Sequence, residues 1–251
     1  MDFTGRQREG SAISTIYIDR RFSGPPDSAN GGYACGLLAR YTGNPAEVTL
    51  HSPPRLDTPL TVTRGDDGQV FLMDGEIPVA SGKPWAGEIT VPDPPTLEQV
   101  MNTPADQDIT ERIWYHGCFV CGTERAAGDG LRIFANRRLA AGGLADIWVP
   151  DSSLADSRGL VPAEMIWAAL DCPGAWVCQM DKARVVVLGR MAADISAPVP
   201  AGRPYIIMGW HISGQGRKTQ SGTALYDASG QVLARSLSTW IELQTVPNLP
   251  G

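Results

Sequence analysis

Asp171 interrupts the apolar run Met165-Ile166-Trp167-Ala168-Ala169-Leu170. A carboxylate there is costly unless it is paired or solvated. Partial burial raises a carboxyl pKa, which suits a general base. A plainer reading stands beside this one. Asp171 faces solvent, or caps a new turn, because Pro173 follows at once and removes a helical hydrogen bond. A second chemical feature lies far away in sequence. Ser28-Ala29-Asn30-Gly31-Gly32 opens a short apolar stretch, Tyr33 to Tyr41. A helix beginning there bares N–H groups and the positive end of its dipole, and glycine lets a ligand approach the backbone. The Gly31 or Gly32 N–H is then an oxyanion donor, worth about 2.7–4 kcal/mol of barrier by analogy. The plainer reading has Asn30 cap the helix while the glycines make a turn.

These features are complementary parts of one pattern that occurs twice. Gly159-Leu160-Val161-Pro162-Ala163 opens a longer apolar stretch, Glu164 to Met180, with Asp171 in its middle. The first copy has the glycines and no acid; the second has the acid, with Ala163 and Glu164 at the glycine positions. Two such helices side by side make one composite site, an arrangement suited to an enzyme acting on a carbonyl compound.

The elements that must position these residues follow from composition and period. Residues 1 to 11 read as loosely attached, and Ile13 to Arg20 as a β-branched strand. After the proline-rich loop Phe22 to Gly32, the spacing of Tyr33, Ala34, Leu37, Leu38 and Tyr41 predicts a helix ended by Gly43 and Pro45. Strands are expected over Glu47–His51, Leu60–Arg64, Gln69–Asp74 and Ile77–Ala80, with a turn at Asp67-Gly68. Pro92 to Pro95 cannot continue a sheet. With the polar stretch Thr103–Thr110 it reads as an interdomain linker, with a helical turn over Thr96–Met101 between them. The order then repeats. Strands are expected over Leu131–Asn136 and Leu144–Val149, a helix over 163–180, and strands over Ala183–Ala193, Tyr205–Ser213, Gln220–Asp227 and Val232–Leu243. Pro53 and Pro59 after the first helix match Pro198 and Pro204 after the second at equal spacing, which supports duplication. The expected units are residues 1–102 and 103–251.

The 251 residues carry a net charge of −6 and are 43% hydrophobic. That balance argues against nucleic acid or an anionic membrane as partner, because phosphate binding needs clustered Lys and Arg. Met1 to Ser14 is polar, and no run approaches 18 apolar residues, so neither a signal peptide nor a membrane span is expected. Five cysteines, an odd number, read as reduced thiols in a cytoplasmic protein. His116, Cys118 and Cys121 raise the question of zinc. No second Cys-x-x-Cys pair supplies the remaining ligands, so no metal is expected.

The order of elements resembles the hot-dog fold, in which an antiparallel sheet wraps a central helix. The second half resembles small acyl-CoA thioesterases of the phenylacetate-pathway type, which begin with Cys-x-x-Cys-Gly and then a Gly-Leu strand start. The corresponding residues are Cys118-Phe119-Val120-Cys121-Gly122 and Gly130-Leu131. That family carries a His-Gly-Gly turn at the helix start and an Asp eight residues after its first Gly. Here Pro162, Ala163 and Glu164 occupy the turn, with Asp171 eight after Ala163, while Asn30-Gly31-Gly32 fits the turn in the first half, with Ala39 at the acid position. The resemblance implies an α+β protein of two tandem hot-dog units, antiparallel sheets each wrapping a central helix. It implies thioester hydrolysis with Asp171 as base or nucleophile and Asn30, Gly31 and Gly32 at the oxyanion site. In that family the acid and the glycine come from opposite subunits; here the fused halves play those subunits.

Substrate contacts are expected from Trp167 and Trp176, which flank Asp171, and from Cys178, where the family has a hydroxyl residue seven beyond the acid. Met165 and Met180 are further candidates for the acyl pocket. Arg55 and Arg203, in the matching loops after the two helices, are candidates for pantetheine phosphates. Each of these also has an ordinary reading, as core tryptophan, packed thiol or solvated arginine. Gly214-Gln215-Gly216-Arg217-Lys218 lacks a complete phosphate-loop pattern and reads as a hairpin tip. No cofactor is expected beyond coenzyme A as part of the substrate, and the expected assembly is a homodimer. The alternative function is a non-catalytic acyl or acyl-CoA binding protein on the same fold. A hydratase ranks last, because an Asp and His four or five apart on a loop above the helix are missing.

Overall fold

The protein, here a computed structural model, is described over residues 11–111, 114–180 and 184–245. The expectation for residues 1–10 and the start of the run at Ala183 lie outside the described residues. Strand β1 (Ser11–Tyr17) precedes helix α1 (Gly31–Ala39), and β2 (Ala46–Leu50), β3 (Pro59–Arg64), β4 (Val70–Asp74) and β5 (Ile77–Pro84) follow. Short helices α2 (Leu97–Asn102) and α3 (Gln107–Glu111) come next, then β6 (Arg137–Arg138) and β7 (Leu144–Trp148). Helix α4 (Ala163–Gln179) and strands β8 (Val186–Ile195), β9 (Tyr205–Gln215), β10 (Lys218–Tyr226) and β11 (Val232–Glu242) complete the order.

Every ladder is antiparallel, and eleven strands form one sheet in the order β1-β3-β4-β5-β2-β8-β11-β10-β9-β7-β6. Outward from the β2–β8 junction the order is mirrored: β5, β4, β3, β1 on one flank, β11, β10, β9, β7 on the other. In each half one strand precedes the helix and four follow it, and the strand after the helix lies at the junction. The two-residue β6 is appended beyond β7.

Helices α1 and α4 lie side by side in the main core and run antiparallel. Gly32 meets Trp167, Ala168 and Asp171, whereas Gly36, one turn later, meets Glu164 and Trp167. A Cβ at Gly32 would lie 2.6 Å from the Asp171 Cβ, and one at Gly36 2.6 Å from the Glu164 Cα. Glycine at these two positions is therefore what lets the helices touch. The strands alternate as half-buried strands should. Tyr205, Ile207 and Leu225 face the main core, while Ile206, Met208, Ala224 and Tyr226 face a second cluster.

That second cluster sits under the segment expected to be a linker. Thr96 and Gln99 form a capping box that starts α2, and Val100 is buried against Ala145, Ile206, Met208 and Tyr226. The Tyr226 hydroxyl donates to the Pro92 carbonyl at 3.0 Å. In α3, within the polar stretch 103–110, Ile109 is buried in the main core. The connection is thus docked at two buried side chains, Val100 and Ile109, while most of its other residues stay exposed or half-buried.

One expected strand does not form, for an identifiable reason, and the helix expected over 163–180 does form despite Pro173. Leu131–Asn136 is not a strand. Its N–H groups are taken elsewhere: Leu131 and Ile133 donate to the carbonyls of Phe119 and Val120, and Phe134 donates to the Asp146 carboxylate. Pro173 does not end its helix, since α4 continues to Gln179. The turn it loosens is held from the sheet, where the Thr223 hydroxyl donates to the Leu170 carbonyl at 2.7 Å.

Candidate active site

The loop before α1 is tied down at both ends. Asn30 donates its N–H to the Phe22 carbonyl, and its side chain caps α1 by accepting from the Tyr33 N–H at 2.9 Å. Phe22 stacks on Tyr33 with ring centroids 4.1 Å apart, and Phe119 meets both rings edge-on. The Phe119 N–H donates to the Ser23 carbonyl. Through these contacts the Cys118–Gly122 turn is held against the start of α1.

Asp171 reaches this point from the middle of α4. It is 3% exposed, so the solvent-facing reading does not hold, and α4 continues past it, so neither does the capping reading. Its Oδ2 accepts from the Gly32 N–H at 2.9 Å and from the Asn30 Nδ2 at 3.0 Å. Its Oδ1 is buried and accepts no hydrogen bond among the described residues. Burial pushes the carboxyl up to about 7, while the Gly32 N–H and Asn30 pull it down. Asn30 thus joins two jobs in one amide: its oxygen caps α1 and its nitrogen positions the acid.

The arrangement corrects one part of the sequence reading. The Gly32 N–H is bound directly by Asp171, so no ligand fits between them, and Gly32 serves helix contact and carboxylate binding. The Gly31 N–H, the first of α1, has no partner among the described residues, and Gly31 lines a cavity with Asn30 and Asp171.

That cavity has a volume of about 570 Å³, within the usual range for small-molecule sites. Its walls are mainly apolar, with Trp114, Trp176, Trp240, Ile109, Leu50 and Leu188 among them. Cys118, Cys121 and Cys172 also lie on the wall, with Cys118 and Cys172 sulfurs 3.8 Å apart. Hydrogen bonds from the Cys121 and Cys172 thiols hold Cys118 well below the usual thiol range.

Of the substrate contacts expected from sequence, Trp176 lines the cavity and Trp167 does not; Trp167 is buried where α1 crosses α4. Cys178 is buried away from the cavity wall, and Met165 and Met180 are also absent from it. Arg55 pairs with Asp74 at 3.6 Å, and neither Arg55 nor Arg203 lines the cavity. A second cleft of about 540 Å³ shares Pro26 and Tyr115 with the first and carries Arg20, Arg21 and Arg125. Sequence reasoning missed these arginines, as well as Trp114, Trp240 and the helix-contact residue Gly36. A signal for Gly36 was present: Gly32 and Gly36 are one turn apart and so share a helix face.

Solved structures match nearly the whole chain. A TesB protein of Mycobacterium avium subsp. paratuberculosis gives a TM-score of 0.61 at 9% identity, over 91% of this chain and 92% of its own. A protein with the hot-dog fold from Alicyclobacillus acidocaldarius gives 0.58 at 10% identity, over 92% of this chain and 93% of its own. Acyl-CoA thioesterase II TesB2 of Mycobacterium marinum gives 0.55 at 11% identity, over 91% and 92%. No family model and no curated protein matches the sequence. With an antiparallel sheet packed on two central helices and these end-to-end likenesses, the chain is a hot-dog-fold protein.

Proposed function

We propose that this chain is an acyl-CoA thioesterase made of two fused hot-dog units, residues 1–102 and 103–251, with one active site between their central helices. The observation that carries the reading is that Asp171 and Gly31 line one apolar cavity, the first with a buried, unpartnered Oδ1 and the second with an unpartnered N–H. The mirrored strand order and the end-to-end match to thioesterase structures support it.

In this mechanism the thioester carbonyl oxygen accepts from the Gly31 N–H at the positive end of α1. The Asp171 Oδ1 removes a proton from water as the water attacks, or attacks the carbonyl itself; Asn30 and the Gly32 N–H fix the other oxygen. The tetrahedral intermediate then collapses and expels the carrier's thiolate, which takes up the proton held by Asp171; on the nucleophilic route the acyl–Asp171 anhydride so formed is hydrolysed by water in a second step. Trp114, Trp176 and Trp240 would enclose the acyl group. The arginines of the adjoining cleft are already ion-paired, Arg20 with Asp57 at 3.1 Å and Arg21 with Asp129 at 3.5 Å, so a carrier phosphate would have to compete with these acids for them. Homodimerisation belongs to the same proposal: β1 is an edge strand with Tyr17 and Ile13 exposed. Light scattering that shows only a 26.9 kDa species would remove that part.

One observation favours a second reading, a non-catalytic acyl-CoA binding protein. Asp171 occupies the Gly32 N–H, so a bound carbonyl would have a single backbone donor. Release of free thiol from a panel of acyl-CoAs separates the two. The enzyme reading expects turnover that Asp171→Asn suppresses. Binding of an acyl-CoA without turnover by the wild type establishes the second reading instead.

A further inference from the structure

Cys118, Cys121 and Cys172 come from two elements that the sequence does not connect. Cys118 and Cys121 sit on one tight turn, where the Gly122 N–H donates to the Cys118 carbonyl at 2.9 Å. Any side chain at Gly122 would meet the carbonyls of His116 and Cys118 at 2.4 Å, so the turn requires glycine. Cys172 projects from α4, next to Asp171. All three thiols are buried and free of disulfides, and their sulfurs lie within 4.8 Å of one another. His116, which the spacing suggested as a ligand, is engaged elsewhere: its Nδ1 lies 2.7 Å from the Thr123 hydroxyl.

We propose that Cys118, Cys121 and Cys172 form a binding site for one zinc ion, with the fourth coordination position open to the cavity. The geometry fits the ion. A tetrahedral zinc with sulfur about 2.3 Å away holds its sulfurs roughly 3.8 Å apart. The Cys118 and Cys172 sulfurs are 3.8 Å apart. A disulfide, by contrast, needs about 2.05 Å. Three soft sulfur donors select zinc over hard cations, and a divalent ion neutralises thiolates that burial would otherwise disfavour. No fourth His, Cys, Asp or Glu joins the cluster among the described residues. All three cysteines line the cavity, so water or a thiol entering there completes the tetrahedron. The bound ion also ties the Cys-x-x-Cys turn to α4. The inference stands whether or not the protein hydrolyses thioesters.

The test uses the full-length protein, reduced and stripped with a chelator, then titrated with zinc against a chromophoric competitor. One zinc per chain is expected. Cobalt(II) in its place should give tetrahedral d–d bands and a thiolate-to-metal charge-transfer band. Cys121→Ser and Cys172→Ser should each weaken zinc binding at least about a hundredfold, above the usual effect of residues that merely support a ligand. Cys35→Ser, which is outside both the cluster and the cavity wall, should leave it unchanged. Should a serine variant fail to fold, alkylation of the wild type reads the same point: zinc should protect these three cysteines together. A folded, reduced wild type that binds no stoichiometric zinc overturns the proposal. So does a cobalt complex without charge transfer, or zinc that leaves the three thiols unprotected.

Discussion

Each end of the α1–α4 pair brings one helix N-terminus to a residue in its neighbour, and the two ends differ. At one, Asn30-Gly31-Gly32 meets Asp171 beside a cavity. At the other, Pro162-Ala163-Glu164 meets the C-terminal turn of α1, where Ala39 stands at the position matching Asp171. There Glu164 is buried to 7% exposure and Arg40 donates to it at 2.7 Å. One end keeps a carboxylate oxygen unpartnered; the other fills the corresponding place with a satisfied ion pair. The matched positions differ by a glycine against Glu164 and by Asp171 against Ala39, and on the proposed reading that difference leaves only one end catalytic.

The largest expected effect tests whether the difference is functional. Asp171→Asn should lower acyl-CoA hydrolysis at least about a hundredfold, while Glu164→Gln should leave it within about twofold. Steady-state thiol release from both variants reads this directly, and equal losses would erase the distinction between the ends. Binding stoichiometry sharpens it: calorimetric titration of Asp171→Asn with a non-hydrolysed acyl-CoA should give one site per chain. Two sites would mean that the Glu164 end still accepts ligand.

The pH profile follows from the acid's environment. Burial pushes Asp171 up to about 7, and the base form is the deprotonated one. In the zinc-free protein the rate should therefore rise with pH, close to tenfold per unit below about 7, and level off above it. A profile flat from pH 5 to 8 would remove Asp171 as the base.

Helix contact gives a smaller effect shared by both ends. Gly32→Ala and Gly36→Ala each place a methyl within 2.6 Å of α4 atoms. Overpacking of this kind costs about 1–3 kcal/mol, which thermal unfolding should show as a Tm lowered by several degrees in both variants. Activity should suffer more in Gly32→Ala, because that methyl pushes on Asp171 itself.

A second buried carboxylate serves as the control for Asp171. Asp146 accepts from the Phe134 N–H on one oxygen and from the Ile147 N–H on the other, and burial raises it to about 6. Its folded pKa lies above the unfolded value of about 3.9. Folding is therefore favoured while it is protonated, and that share of stability, roughly 2–3 kcal/mol, is lost as pH rises from about 4 to about 6. Asp146→Asn should flatten the pH dependence of denaturant unfolding across that window and leave hydrolysis unchanged per folded molecule. Smallest of all, Asn30→Ala removes a cap worth about 1 kcal/mol, with a further modest loss of activity because the Asp171 Oδ2 is then held by the Gly32 N–H alone.

What the sequence by itself determined was local or periodic. Turn residues, β-branched runs and helical spacing located nearly every element, and the repeated order of elements matches the mirrored strand order of the sheet. The split between the glycine pair and Asp171 was legible because an acid inside an apolar helix and glycines at a helix start break local preference. Only the tertiary structure decided which Gly N–H was left free, since that depends on how far Asp171 reaches across the α1–α4 contact. It also decided which tryptophans face the cavity: Trp167 and Trp176 share a helix, but α1 covers one and not the other. Leu131–Asn136 looks like a strand because its residues suit one, yet its N–H groups bond to the Cys118–Cys121 turn and to Asp146. The Cys118–Cys121 pair was legible, but its meeting with Cys172 was invisible for the same reason. Residues 118 and 172 become neighbours only when the loop folds onto α4, and contacts between distant segments leave no periodic trace in a single chain.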